Sequence, residues 1–139
     1  MRKSFIFYII FFVGLAFFFL NLRNSKEREE IAAIIASSNT AEGKVLFNNN
    51  CGHCHSVAFE EHKIGPSLHN IYGKISGTQL GYTNYGEILT KINLQWNDEE
   101  LFNYVRYGSE YIEGTKMAYK GIESDNDAAA IVAYLKNSE

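Results

Sequence analysis

Proline occurs once and cysteine twice in these 139 residues. That excludes a collagen-like or proline-rich chain, and it leaves too few thiols for a disulfide-built scaffold. Positive charge is also scarce, with 13 Lys+Arg against 16 Asp+Glu and a formal net charge of -3. Such a chain offers no basic surface able to neutralise a run of phosphates, so the composition gives no support to a nucleic-acid partner. Hydrophobic residues make up 46% and charged residues 21%, which excludes bulk disorder. The length suits one domain with an appendage and is too short for two sizeable cores.

What is present is unevenly placed. Phe5 to Leu20 is an uncharged stretch of 16 residues, seven of them phenylalanine. As a helix it would rise about 24 Å, and about 27 Å if continued through Leu22, close to a hydrocarbon core of about 30 Å. Arg2 and Lys3 at one end and Arg23 and Lys26 at the other can extend their charges to the headgroups. A cleaved signal peptide is the rival reading, but its apolar region is usually about 7 to 15 residues long and is followed promptly by small residues. Here Asn21, Leu22, Arg23 and Asn24 follow, and the nearest small triplet is Ala36 to Ser38. A buried soluble helix is the third possibility. The expected organisation is a short tail at 1–4, a transmembrane signal anchor at 5–22, a stalk or linker at 23–39 and a domain at 40–139. In the linker Ser25 can cap a short helix with Ile31, Ile34 and Ile35 on one stripe; a partly ordered spacer is the alternative. Residues 40–139 hold 8 Lys+Arg against 13 Asp+Glu, about -5, so the head is acidic.

The two cysteines stand in Cys51-Gly52-His53-Cys54-His55, the C-x-x-C-H pattern of c-type haem attachment. Two thiols three positions apart can each bond one vinyl group of a porphyrin, and the imidazole after the second is then carried beneath the ring as proximal iron ligand. A thioredoxin-like dithiol is an alternative, although it needs a preceding buried strand and Gly43 to Asn50 does not read as one. A zinc site is another; with no second cysteine pair, His53, His55, His62 and His69 would have to complete it. A structural disulfide is the third. An electron-carrying haem usually takes a second axial ligand, and only Met1 and Met117 carry a thioether. Met1 is at the anchor end, whereas Met117 lies in a glycine-bearing loop. Methionine alone is often core filler, but beside C-x-x-C-H it becomes the candidate sixth ligand, and His/Met ligation implies a raised potential.

These residues, together with His62-Lys63-Ile64-Gly65-Pro66-Ser67-Leu68-His69, Gly81-Tyr82-Thr83, Trp96, Tyr111-Ile112-Glu113-Gly114-Thr115-Lys116-Met117 and Ile131-Val132-Ala133-Tyr134-Leu135-Lys136, resemble class I cytochrome c. The likeness is to the mitochondrial and alphaproteobacterial branch, including its membrane-anchored bacterial forms, and it extends over about Ala41 to Lys136. The resemblance implies an all-α haem domain. The residues agree: Thr40 can cap a helix through about Asn49, Asn97 one from about Asp98 to Tyr107, and a last helix runs from about Asp125 to Asn137. In the family the first and last helices cross, with Gly43 permitting close approach and Phe47 packing on Tyr134.

The resemblance also assigns roles. One haem c is bound covalently through Cys51 and Cys54, and His55 and Met117 are the iron ligands. The Pro66 carbonyl accepts from His55 and Leu68 walls the haem. Trp96, Thr115 and Lys74 lie near a buried propionate, with Lys74 standing where arginine is most common. Tyr104 lies near the Met117 sulfur, and Tyr119 is the aromatic beside the exposed haem edge. Tyr85 is assigned to the propionate, with Asn84 as its competitor because the stretch from Gly81 to Trp96 is one residue longer than usual. His53, His62 and His69 read as non-ligands, His62 bracing the loop before Pro66.

Two departures from the family matter. Gly108 and Glu113 replace prolines around the methionine loop, so Met117 is expected to be displaced more easily by alkali. Lys63, Lys116 and Lys120 are accompanied by Glu60, Glu61, Glu110, Glu113 and Glu123, which weakens long-range steering. With the anchor, the resemblance implies a membrane-bound respiratory electron carrier rather than an enzyme. It would accept from a quinol to cytochrome c oxidoreductase and donate to a haem-copper terminal oxidase. Haem attachment outside the bacterial inner membrane would place the head in the periplasm and residues 1–4 in the cytoplasm. A haem peroxidase, a gas sensor, or a donor to another periplasmic reductase are the alternatives.

Overall fold

A computed structural model describes residues 2–138, and among them the regular structure is helical, with a single antiparallel bridge between Ile75 and Gln95. The helices are α1 (Arg2–Ser37), α2 (Thr40–Asn50), α3 (Glu87–Lys91), α4 (Asp98–Tyr107), a 3-10 turn at Gly108–Glu110, and α5 (Asp125–Lys136). The chain divides into two units, Met1–Glu30 and Ile31–Glu139.

In the first unit, α1 includes a stretch long and apolar enough to cross a membrane, with mean hydropathy 1.5 and none of it buried by the protein. Ser25 does not cap a new helix as expected. Its hydroxyl donates back to the Leu22 carbonyl at 2.9 Å, and with no proline or glycine between Leu22 and Ser37 nothing breaks the helical ladder.

The second unit is built on a helix crossing. Asn39, not Thr40, caps α2, its side chain accepting from the Ala41 and Glu42 amides. Asn and Thr can both fill that place, and the chain enters one residue early because Asn39 has the extended backbone. On α2 the buried face is Gly43 and Phe47, four residues apart. It lies on α5, where Ala128, Ala129, Ile131 and Val132 are fully buried. A Cβ on Gly43 would stand 1.9 Å from the Ala130 carbonyl oxygen, so only glycine lets the helices meet here. Beside it the Phe47 and Tyr134 rings lie 5.5 Å apart. Helix α4 begins at Asn97, whose side chain accepts from the Glu100 amide. It contributes Leu101, Phe102 and Tyr104 to the same core, and Ile31 and Ile35 also join it.

Candidate functional site

Cys51 forms the C-cap of α2, and the chain then turns tightly, with the Cys54 and His55 amides both donating to the Cys51 carbonyl. Both thiols are free. A helix carboxyl end disfavours negative charge, and burial, then Cys54, pushes the Cys51 thiol up to about 11. These are the wrong surroundings for a redox dithiol, which needs a thiolate. Among the described residues no three His, Cys, Asp or Glu come together as a metal cluster, so the zinc reading finds no ligand set.

His55 is buried and its Nδ1 lies 2.7 Å from the Pro66 carbonyl oxygen. A carbonyl only accepts, so Nδ1 carries the proton and Nε2 keeps the lone pair a metal needs. Burial holds the His55 pKa below its ordinary value, opposed by the Pro66 hydrogen bond, so the ring is neutral and ready to ligate. Gly65 lets the Pro66 loop press onto the imidazole, since a Cβ there would come within 2.3 Å of His55 Cε1.

A second group of candidate residues lies on α4 and in the methionine loop. The Tyr104 hydroxyl and Thr115 Oγ1 are 2.8 Å apart, and Thr115 Oγ1 also accepts from the Met117 amide at 3.3 Å. Met117 and Leu68 both pack against the core. The loop is closed at its neck by two glycines. Gly108 and Gly121 have φ of +57° and +91°, and a Cβ on either would fall 2.1 to 2.2 Å from the Tyr119 or Arg106 carbonyl oxygen. Proline, with φ near -65°, cannot occupy Gly108, so the loop is constrained here by close backbone contact.

A third group gathers around Lys74. Its Nζ donates to the His69 carbonyl at 3.0 Å and to Gln79 Oε1 at 2.8 Å, and the Gln79 amide donates to the Tyr85 hydroxyl. Backbone bonds tie this group to Trp96: its amide donates to the Lys74 carbonyl and its carbonyl accepts from Gly73. The buried Trp96 ring lies 5.2 Å from that of Tyr104. Asn84 instead accepts from Lys116. Sequence reasoning missed Gln79. A glutamine in a Gly-Thr-Gln loop is ordinarily exposed, and no motif marks this one as buried. His62 sits in the brace expected of it, Nδ1 accepting from the Ser67 amide and Nε2 donating to the Leu80 carbonyl. His53 is exposed.

The Tyr119 hydroxyl tests whether a prosthetic group fits. It is buried without a partner, its pKa pushed up to about 12 by burial and then by Cys51. A buried polar atom left unpaired and close enough to the free Cys51 thiol to feel its charge marks a place that the chain alone does not complete. The residues present fit a haem.

Residues 40–139 match the family model for cytochrome c. Cytochrome c of Gibberella zeae is 37% identical over 105 residues, 75% of this chain and 98% of that protein, and cytochrome c of Arabidopsis thaliana is 33% identical over 108 residues, 77% and 96%. The solved structure of cytochrome cH from Methylobacterium extorquens superposes with a TM-score of 0.65 at 31% identity, covering 71% of this chain and 98% of its own. The chain therefore belongs to the cytochrome c family, as an electron carrier with covalently bound haem c and not as an enzyme.

Proposed function

We propose that the protein is a membrane-tethered one-electron carrier of a bacterial respiratory chain, taking electrons from a quinol to cytochrome c oxidoreductase and passing them to a haem-copper terminal oxidase. In this reading residues 1–4 are cytoplasmic, 5–22 span the inner membrane, 23–39 form the stalk and the haem domain from residue 40 works in the periplasm. The observation that carries the tether is the fully exposed apolar stretch of α1, which would be costly in water.

Haem c, when bound, supplies one iron that alternates between ferric and ferrous. The protein does the rest. Cys51 and Cys54 would hold the porphyrin and His55 Nε2 and the Met117 sulfur would ligate its iron, while Pro66 fixes the imidazole. Leu68 and Tyr119 would keep water from it. Lys74, Tyr85, Trp96 and Thr115 would bind its propionates, with Gln79 holding the Lys74 ammonium in place, and Tyr104 steadies the methionine loop through Thr115.

The test is to mature the full chain in a haem-attaching bacterium and follow its reduction and oxidation in membranes carrying each complex. The expected result is covalent haem in the membrane fraction, turnover with both complexes, and release into the soluble periplasm when residues 1–30 are replaced by a cleavable leader. Haem protein that neither complex reduces or oxidises would refute the assignment of partners. Rapid carbon monoxide binding by the native ferrous protein would favour a gas sensor or peroxidase.

A further inference from the structure

One cleft takes no part in the site above. It is a shallow, largely open groove of about 400 Å³ between α3, the start of α4 and the segment after the 3-10 turn, and Ile92, Leu94 and Ile112 give it an apolar lining. Ile112 is buried, whereas Ile92 and Tyr111 are 38% and 37% exposed, so the cleft reaches from the core to solvent. Its polar lining is acidic, from Glu100 and Glu113. The Tyr111 hydroxyl donates to Glu100 Oε2 at 2.8 Å and so fixes one carboxylate at the lip. Residues 98–113 hold five carboxylates and one cation, Arg106. Arg106 is tied to Asp125 at 2.5 Å, and Asp98 is matched by Lys136 at 2.6 Å.

We propose that this cleft docks a basic amphipathic segment of a protein partner, with an aliphatic side chain on Ile92, Leu94 and Ile112 and a lysine or arginine held by Glu100 and Glu113. The charge selects this occupant. Anionic headgroups would be repelled by the carboxylates, and a second copy of a head carrying about -5 would meet like charge. A cation can also lie on the Tyr111 ring. The inference does not depend on which complexes donate and accept the electron, since it concerns a surface that holds a partner and not the electron's route.

The haem-loaded full chain in neutral-detergent micelles, ferrous and isotope-labelled, would be titrated with the capped tetrapeptide Lys-Leu-Lys-Leu, with Glu-Leu-Glu-Leu and pentalysine as controls and empty micelles as blank. The expected result is saturable amide shifts confined to residues 88–94, 98–101 and 110–113. E100Q/E113Q should weaken the affinity about fivefold while keeping the Tyr111 hydrogen bond, since glutamine also accepts. Glu-Leu-Glu-Leu should not bind. Shifts scattered over the acidic surface, pentalysine binding as tightly as the tetrapeptide, or an affinity unmoved by E100Q/E113Q would overturn the proposal. Self-association shifting the same resonances would also overturn it, because the occupant would then be a second copy.

Discussion

Tyr104 reaches the methionine loop through a single hydroxyl. Its contact with Thr115 Oγ1, which in turn accepts from the Met117 amide, is one of the few side-chain links between α4 and that loop. Tyr104→Phe removes it and leaves Thr115 short of a partner, a loss of about 1 kcal/mol. The alkaline midpoint for loss of the far-red sulfur-to-iron band should fall below that of the parent protein. An unchanged midpoint would mean that the loop is held elsewhere, with the glycine neck as the obvious place. Tyr111 gives a different pH signature. Burial first, then the Glu100 hydrogen bond, push its phenol up to about 12. A phenol whose folded pKa is raised contributes stability that is complete below about pH 10 and is lost as pH rises towards 12. Thermal midpoints of the haem-loaded protein should therefore fall more steeply between pH 10 and 12 in the parent than in Tyr111→Phe. Parallel curves would show that the phenol is not titrating against the fold.

Among the elements, the α2–α5 crossing bears most directly on stability. Adding one methyl in Gly43→Ala forces backbone against backbone at 1.9 Å, where no side chain can rotate away. The expected cost is about 3 kcal/mol, at the upper end for overpacking, read as a lower urea midpoint at unchanged slope. A change below about 1 kcal/mol would mean that the helices can slide apart. This crossing was legible through the resemblance, which sets Gly43 and Phe47 against Tyr134; spacing alone placed only Gly43 and Phe47 on one helical face. Asn97 was legible because a cap followed by acidic residues is a local signal. The helix from Leu22 to Ser37 was less so, since serine marks a cap only where the chain before it is not already helical. The Lys74 cluster was legible in part. Lys74 and Trp96 come from the resemblance, but Gln79 owes its burial to where the loop folds back, which no local pattern records.

At the scale of the whole molecule, charge governs how partners are met. The head carries about -5, and its lysines are partly engaged: Lys63 donates to the Gly52 carbonyl at 2.6 Å and Lys116 to Asn84 at 3.0 Å. Attraction over a Debye length is then weak, and confinement to a membrane would supply the encounter rate instead. Oxidation by the membrane-bound partner should change little with ionic strength in the tethered protein. A steep decline with added salt would instead assign docking to the local lysines. The closed neck at Gly108 and Gly121 bears on how such a molecule can change over time. Because the two ends of the ligand-bearing segment are clasped to each other, its interior behaves as an exchangeable cassette. Grafts between Ser109 and Lys120 that keep Ile112 in the core and Thr115 on Tyr104 can retune the metal's environment without disturbing the scaffold, whereas lineages that lose either clasp must rebuild both ends at once.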